Sequence, residues 1–259
     1  MKGTFETVSL IGFGNVGSHL AKHLEKSGVN ISHVYNRNVQ ANEKIATSTK
    51  AIITNKISTL PKDQLVLICV SDSAIPEIVE QIHIDTPIAY TSGSIAIETL
   101  PKRKNIGVFY PLQTFSKDRA IDLSQVPFLI EASNNEFGNQ LYNLASMLSN
   151  SVSYANSQKR KELHLAAVWV NNFTNHIVHL AQKYTKENNV DFSLLVPLLK
   201  ETIDKLDYLT ARDAQTGPAR RGDTSIIKEH ISKLQGTELE LYKLISKSIQ
   251  NTYSKDGEL

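Results

Sequence analysis

The sequence predicts an α/β protein with a doubly wound parallel sheet and a second, all-α domain. Three observations support this fold class. From residue 7 to about 131, short runs rich in Val, Ile and Leu alternate with amphipathic or polar stretches, as in repeated βα units. A glycine-rich turn directly follows the first of these runs. Beyond about residue 136, apolar residues recur every three to four positions, which is typical of helices.

These patterns also predict where the domains divide. A polar, serine-rich stretch at Ser151–Gln158 separates the strand-like half from the helical half, so we predict domains at residues 1–152 and 153–259. The candidate strands are Val8–Ile11, Ile31–Tyr35, Ala51–Ile53, Leu65–Val70, Ile88–Tyr90, Gly107–Phe109 and Phe128–Ile130. The candidate helices of the later part are Phe137–Leu148, His164–Tyr184, Leu194–Leu209 and Ser225–Tyr253.

The composition is that of an ordinary soluble globular protein. The 259 residues are 41% hydrophobic and 21% charged, and the net charge of +2 favours neither nucleic acid nor a membrane surface as a partner. The sequence has no secretory signal pattern and no apolar run of about 18 residues, so we expect a cytoplasmic protein. The single cysteine, Cys69, lies in an apolar run and is expected to be a core residue. We predict no metal site.

The glycine-rich turn runs from Gly12 to Gly17, between a predicted strand and a predicted helix that ends near Ser27 and Gly28. In the Rossmann fold, the first glycine of such a motif permits a tight turn, the second admits a pyrophosphate, and the third lets helix and strand approach. The unpaired N–H groups at the start of the helix attract the phosphates. We therefore predict a Rossmann domain in which the cofactor contacts are Gly12, Phe13, Gly14, Asn15, Val16 and Gly17.

The end of the second strand predicts which dinucleotide is bound. Rossmann domains that bind NAD usually have an acidic residue there, but this chain has Asn36 and Arg37. Arg37 can pair with a 2′-phosphate, and Asn36 can hydrogen-bond the ribose without repelling that phosphate. We predict NADP as the cofactor, with a merely solvent-facing arginine as the alternative. FAD is less expected, because the chain shows no second dinucleotide motif.

Three polar loops follow later strands, at the sheet edge where open α/β sheets bind ligands. Small hydroxyl and glycine residues there can bring backbone amides to the nicotinamide end of the cofactor, and Tyr110 and Gln113 can face a substrate. Taken singly, such residues are equally well explained as turn formers. The cofactor contacts predicted from these loops are Val70, Ser71, Asp72, Ser92 and Gly93.

Nearly the whole chain resembles a family in which an NADP-binding Rossmann-like domain precedes a helical domain of unknown function, number 2520. The resemblance is carried by Gly12–Gly17, Tyr110–Phe115, Glu162–Phe173 and Thr216–Asp223, followed by His230. More distantly, the layout is similar to pyrroline-5-carboxylate reductase, ketopantoate reductase, and the 6-phosphogluconate and β-hydroxyacid dehydrogenases. This resemblance implies a second domain like the C-terminal domain of 6-phosphogluconate dehydrogenase, and a homodimer formed through it.

The chain departs from these relatives at two points that matter for catalysis. The family commonly has His where this chain has Tyr110, and the β-hydroxyacid dehydrogenases carry a catalytic Lys on the helix that here has His164, Asn171 and Asn172. The spacing of His164 and Asn171 predicts that both lie on one face of a regular helix. We predict Tyr110, His164, Asn171 and Asn172 as catalytic residues, with a structural, hydrogen-bonded histidine as the alternative for His164.

Charged residues near two predicted helix starts have contrasting interpretations. Arg220 and Arg221 can bind a carboxylate or phosphate of the substrate, or close a dimer contact, so with Gln113 they are the predicted substrate contacts. Asp223 is suited to cap the helix that follows. The run Lys159–Lys161 indicates a solvated helix start rather than a binding patch.

Together these features predict an NADP(H)-dependent oxidoreductase that transfers a hydride to or from a small, anionic carbonyl or imine compound. Two alternatives stay open. One is a non-catalytic NADP(H)-binding redox sensor or regulatory module, which the missing lysine favours. The other is a deazaflavin-dependent NADP oxidoreductase. The expected partners are a small-molecule substrate and a second copy of the chain, with no nucleic acid and no membrane.

Overall fold

A computed structural model describes residues 5–37, 47, 49–117 and 119–253. Contacts between residues divide the chain into two compact units, residues 1–172 and 173–259. This division falls later in the chain than the predicted boundary between residues 152 and 153. The physical reason is that the helix Ser157–Ala167 is anchored to the sheet by Arg160, whose side chain is completely buried.

Within the described residues, the first unit contains one eight-stranded sheet in the order β3–β2–β1–β4–β5–β6–β7–β8. Neighbouring strands are parallel except β6 and β7, which are antiparallel. The first six follow the order 3-2-1-4-5-6 of dinucleotide-binding folds, which confirms the predicted sheet. The strands are β1 (Thr7–Ile11), β2 (Asn30–Tyr35), β3 (Ile52–Thr54), β4 (Leu65–Ile68), β5 (Ile88–Tyr90), β6 (Ile106–Pro111), β7 (Phe128–Ala132) and β8 (Val152–Tyr154).

Strand β8 was not predicted, and it lies inside the serine-rich stretch that we interpreted as a domain boundary. It pairs in parallel with β7, with Val152 opposite Phe128 and Tyr154 opposite Ile130. Ser153 and Tyr154 are exposed. Because pairing at a sheet edge uses backbone groups, this strand needs no apolar run, and the sequence gives little sign of it.

Both faces of the sheet are buried, because helices cover each of them. Along β4, Leu65 and Leu67 belong to one core cluster, whereas Val66 and Ile68 belong to the other. The helices among the described residues of this unit are α1 (Asn15–Lys26), α2 (Ile75–Gln81), α3 (Asn135–Ser146) and α4 (Ser157–Ala167). Helices α1 and α3 contribute to the first cluster and α2 to the second, as expected for a doubly wound fold.

The described residues of the second unit form helices joined by turns and loops, as predicted. Its helices are α5 (Thr174–Glu187), α6 (Val196–Asp204), α7 (Ala211–Ala214), α8 (Thr224–Ser232) and α9 (Gly236–Tyr253). The helical repeat of Ser225–Tyr253 is divided between α8 and α9, and α8 ends at Ser232, near the end that we predict at about Gln235 for the helix after Asp223. The carboxylate of Asp223 accepts a hydrogen bond from the backbone N–H of Ile226, which confirms the predicted cap of α8. No helix in the described part of the chain is long and apolar enough to cross a membrane.

Candidate active site

The glycine-rich turn between β1 and α1 leaves two of its glycines no room for a side chain. Gly12 has a φ of 90°, and a Cβ there would lie 2.6 Å from the carbonyl oxygen of Cys69. A Cβ on Gly17 would lie 2.2 Å from the carbonyl oxygen of Gly12. Gly14 differs, since among the described residues no atom beyond its two chain neighbours lies within 4 Å of its Cβ position. The turn therefore offers an open approach to bare backbone at the start of α1, which fits a dinucleotide diphosphate.

Two side chains of α1 hold the loop that follows β6. Asn15 Nδ2 donates to the carbonyl oxygen of Phe115 at 2.9 Å, and His19 Nε2 lies 2.9 Å from the carbonyl oxygen of Ser116. The rings of His19 and Phe115 also touch, with centroids 5.4 Å apart. The loop Leu112–Ser116 is therefore tied to the first turns of the phosphate-facing helix. Asn15 is a predicted cofactor contact, but its side-chain amide donates to the Phe115 carbonyl instead.

The carboxyl end of β2 lies beside the glycine-rich turn. The N–H of Gly12 donates to the carbonyl oxygen of Tyr35 at 3.0 Å, and the N–H of Asn36 donates to that of Thr54 at 3.0 Å. Arg37 follows directly and is exposed. Its guanidinium is accessible at the position where a 2′-phosphate of a dinucleotide is recognised in this fold.

The loops after β4 and β5 are joined by a carboxylate. Asp72 accepts a hydrogen bond from the hydroxyl of Ser94, and the hydroxyl of Ser92 accepts the N–H of Ser94 at 3.1 Å. Gly93 lies against the ring of Tyr110, where a Cβ would be 2.7 Å from the ring carbon Cζ. Glycine is therefore required at 93 by the packing of Tyr110, a reason different from the cofactor approach that we predicted.

Tyr110 and His164 form a hydrogen-bonded pair. Tyr110 belongs to β6 rather than to the loop after it, and its Oη lies 3.3 Å from Nδ1 of His164 on α4. Burial raises the pKa of Tyr110, the carboxylate of Asp72 raises it further, and the guanidinium of Arg160 lowers it. Because its pKa is raised, Tyr110 keeps its proton at neutral pH, and its O–H can donate to Nδ1 when the ring hydrogen of His164 lies on Nε2.

Comparison with known proteins identifies the family. Residues 7–97 match the domain described as NADP oxidoreductase, coenzyme F420-dependent, and residues 126–249 match the domain of unknown function DUF2520. A crystal structure from Bacteroides fragilis, assigned as an NADP oxidoreductase, is 38% identical with a TM-score of 0.86, and the match covers 95% of this chain and 98% of that chain. The chain belongs to the NADP oxidoreductase family. This membership confirms the oxidoreductase class and NADP as the cofactor.

More distant structures share the fold of this NADP oxidoreductase. An imine reductase from Myxococcus stipitatus in complex with NADP+ is 14% identical with a TM-score of 0.67, and the match covers 97% of this chain and 95% of that chain. A 1-pyrroline-5-carboxylate reductase from Streptococcus pyogenes is 14% identical with a TM-score of 0.63, and 98% of each chain is covered. At this identity the likeness concerns the fold alone. No curated protein matches the sequence.

The other predicted cofactor contacts of the NADP oxidoreductase differ in exposure. Phe13 and Val16 pack partly against the core, so the backbone of these residues is what the turn presents. Ser92 is buried, and its hydroxyl accepts the backbone N–H of Ile95 in the same loop at 3.1 Å. The exposed members of the predicted set are Gly14, Asn15, Arg37, Ser71 and Asp72, and the half-buried ones are Gly12, Phe13, Val16, Asn36 and Val70.

The remaining predicted catalytic residues lie in irregular helix. Asn171 and Asn172 are exposed and belong to a π-helical segment, Val168–Phe173, between α4 and α5. A π-helix has a wider turn than an α-helix, so the spacing of His164 and Asn171 does not place them on one face. The regular helix that we assumed there is wrong. Gln113 is exposed, and its Oε1 accepts the N–H of Thr114 at 2.8 Å.

The arginines of the second unit have different surroundings. Arg220 Nη1 donates to the carbonyl oxygen of Asp213 at 3.2 Å, and its guanidinium lies 5.1 Å from the centroid of the Tyr253 ring. These contacts within the helical unit favour a structural role for Arg220. Arg221 is exposed. The preceding residues Thr216–Ala219 line a cavity of about 900 Å³ that helices α5 and α9 complete.

Cys69 is a core residue, as predicted. It is buried in the cluster that contains Leu65 and Leu67, and burial raises the pKa of its thiol to about 12. A thiol with so high a pKa is a poor nucleophile at neutral pH. Among the described residues, no group of three or more His, Cys, Asp or Glu side chains is arranged to hold a metal ion.

Proposed function

We propose that this NADP oxidoreductase reduces the carbonyl or imine group of a small anionic compound, or catalyses the reverse oxidation. The observation that supports this proposal best is the Tyr110–His164 pair, with its Oη–Nδ1 distance of 3.3 Å. Tyr110 lies near the carboxyl end of β6, at the same sheet edge as the glycine-rich turn after β1. NADPH, when bound, supplies a hydride from C4 of its nicotinamide ring.

The glycine-rich turn and Arg37 are the proposed cofactor contacts. Gly14 and the first N–H groups of α1 bind the diphosphate, while the close fits at Gly12 and Gly17 hold strand and helix together beneath it. The exposed guanidinium of Arg37 pairs with the 2′-phosphate. The loop residues Val70, Ser71 and Asp72 follow β4 and stay predicted contacts for the nicotinamide end.

The proposed role of the pair is to deliver a proton to the substrate heteroatom. When His164 is protonated, its Nδ1–H donates to the phenolic oxygen, and the Tyr110 O–H is free to donate to the substrate. As the substrate takes the proton of Tyr110, the phenolic oxygen takes that of Nδ1, so His164 ends neutral. Such general acid catalysis typically contributes about 10²–10⁴-fold to a rate.

The test is NADPH oxidation with a panel of keto acids and cyclic imines. We expect Tyr110→Phe and His164→Gln each to lower kcat by about 100-fold or more, with the Kd of NADPH unchanged. Tyr154→Phe is the control, because it removes the hydroxyl of a tyrosine on the edge strand β8, which donates to Oδ1 of Asn139 at 2.8 Å. Full activity in both variants of the pair would refute the proposed role.

A deazaflavin as hydride acceptor is the second candidate function. The observation that favours it is the match of residues 7–97 to a domain described as coenzyme F420-dependent. Reduction of a deazaflavin by NADPH, with no turnover of any carbonyl or imine in the panel, would select this candidate. Tight NADPH binding without turnover in either assay would select the redox sensor instead.

We also propose a homodimer formed through the helical unit. Several large apolar side chains of this unit are exposed, among them Leu244 at 66% and Leu198 at 65%. Exposed apolar surface of this kind is typical of interfaces. Light scattering coupled to gel filtration tests the proposal, with a monomer as the contrary result. Arg221 as a substrate contact and the cytoplasmic location stay predictions.

A further inference from the structure

Arg160 is completely buried, although the basic run Lys159–Lys161 predicted a solvated helix start. That prediction is wrong for Arg160, whose relative exposure is 0%, while its two neighbours are exposed. Burial lowers the pKa of Arg160, but a guanidinium stays charged at neutral pH. A buried charge is costly unless it is paired, so its contacts need an explanation.

The guanidinium of Arg160 joins three elements of the sheet unit. Nη1 pairs with the carboxylate of Glu131 on β7, and Nη2 donates at 2.7 Å to the carbonyl oxygen of Ile95, in the loop after β5. The third element is α4 itself, where Arg160 lies in the first turn. The hydroxyl of Tyr90 donates to the same Ile95 carbonyl at 3.2 Å.

Glu131 completes the attachment of α4. Its carboxylate accepts the backbone N–H of Ser157 at 3.0 Å and the Ser157 hydroxyl at 3.0 Å, while that hydroxyl also lies 3.2 Å from a carboxylate oxygen of Glu98. One carboxylate therefore binds both Ser157, the first residue of the helix, and Arg160, three residues later. This carboxylate also lies at a helix N-terminus, where negative charge is favoured.

The same contacts determine where His164 lies. Arg160 and His164 are four residues apart on α4, so their side chains project from the same side of the helix. The loop that contains Ile95 also contains Gly93, against which the ring of Tyr110 packs. Arg160 thus connects the helix that carries one member of the pair to the loop that supports the other.

We propose that Arg160 is a positioning residue for the Tyr110–His164 pair. Its forked guanidinium fixes α4 against the loop after β5, so that Nδ1 of His164 stays within hydrogen-bond distance of the Tyr110 hydroxyl and the imidazole keeps one tautomer. Lysine cannot replace it, because one ammonium group lacks the fork that reaches both Glu131 and the Ile95 carbonyl. The effect on turnover rests on the proposed function, whereas the effect on the tautomer does not.

Arg103 provides a matched control elsewhere in the same unit. It is also buried, and its guanidinium donates to the carbonyl oxygens of Val79 and Ile82 near the end of α2, at 3.2 and 3.1 Å. In both arginines the Nε atom has no hydrogen-bond partner among the described residues. Arg103→Lys therefore also replaces a buried guanidinium with an ammonium group, but it removes no contact to α4.

The experiment measures the ¹⁵N chemical shifts of the His164 ring in the full-length, histidine-labelled protein, assigned by comparison with His164→Gln. In the wild type we expect one tautomer, with the hydrogen on Nε2. We expect Arg160→Lys and Tyr110→Phe each to give shifts averaged between tautomers, and Arg103→Lys to keep the wild-type shifts. Wild-type shifts in Arg160→Lys would overturn the proposal.

Two further measurements complete the test. If Arg160→Lys does not fold, Glu131→Gln removes the charge of the partner while preserving its shape, and unchanged His164 shifts there would equally overturn the proposal. If the panel of keto acids and cyclic imines yields a substrate, we expect Arg160→Lys to lower kcat by about 100-fold and leave the Kd of NADPH unchanged. If no substrate turns over in the wild type, the proposed function fails while the tautomer result still decides the role of Arg160.

Discussion

Substituting alanine for single glycines should separate cofactor binding from folding, because the glycines of this chain face different surroundings. Gly14→Ala places a methyl group in space that is free of protein atoms in the described structure, where we propose that the diphosphate binds. Overpacking of a well-fitted contact costs about 1–3 kcal/mol, which corresponds to an increase in the Kd of NADPH of about 5- to 150-fold. The substitution meets no protein atom, so the folded state has no clash to accommodate.

The stability of Gly14→Ala should stay close to that of the wild type. Gly14 is the N-cap of α1, and alanine is a poorer N-cap than glycine. Against this, replacing glycine with alanine reduces the entropy of the unfolded chain, worth about 0.4–1 kcal/mol. Since the two effects oppose each other, we expect little change in the free energy of unfolding.

Two other glycines are the controls. Gly17→Ala would bring a Cβ to 2.2 Å from the carbonyl oxygen of Gly12, so we expect it to weaken both folding and binding. Gly28 has a φ of 87° and open space around its Cβ position, so Gly28→Ala should cost about 1 kcal/mol of stability and leave binding unchanged. Calorimetric titration with NADPH and thermal unfolding measure the two quantities. Wild-type affinity in a folded Gly14→Ala variant would refute the placement of the diphosphate at this turn.

Three further predictions concern single side chains. Arg37→Ala should raise the Kd of NADPH by about tenfold or more with little effect on NADH, and equal effects on both would remove the argument for 2′-phosphate recognition. Asn15→Ala should lower the free energy of unfolding by about 1 kcal/mol, because it removes the tie to the Phe115 carbonyl, and chemical denaturation measures this loss. The raised pKa of Cys69 means that the unfolded thiol ionises from its ordinary pKa of 9.0 upward, while the folded thiol stays neutral until about 12. Stability is therefore fully present below pH 9 and falls as pH rises toward 12, by about 1.4 kcal/mol per pH unit once the unfolded thiol is ionised. Denaturation curves of Cys69→Ala should lack this part of the alkaline loss, and identical pH dependence in both proteins would contradict the burial of the thiol.

The sequence predicted best those features that depend on local geometry. Gly12 and Gly17 have backbone contacts that exclude any side chain, and such steric demands are visible in the residue types themselves. The apolar runs of the sheet are visible for the same reason, since a strand buried on both faces needs continuous apolar residues. Strand β8 is short, polar and at an edge, so it lacks that signal.

Features that depend on residues far apart in the chain were not predictable. Tyr110 and His164 were both candidates, but their hydrogen bond joins residues 54 positions apart. Arg160 belongs to a run of basic residues, and such runs are usually solvated. Only its pairing with Glu131, 29 positions away, explains its burial. The face shared by His164 and Asn171 was predicted from a regular repeat, which the π-helical segment interrupts.

In the part of the chain that the structure describes, the sheet ends on both sides in very short strands, since β3 and β8 contain three residues each. A free edge can recruit a strand from another molecule, and a short edge offers few backbone groups for such recruitment. The short edge strands therefore protect the fold against aggregation by strand addition. This protection is independent of the proposed active site, which lies at the carboxyl ends of the strands.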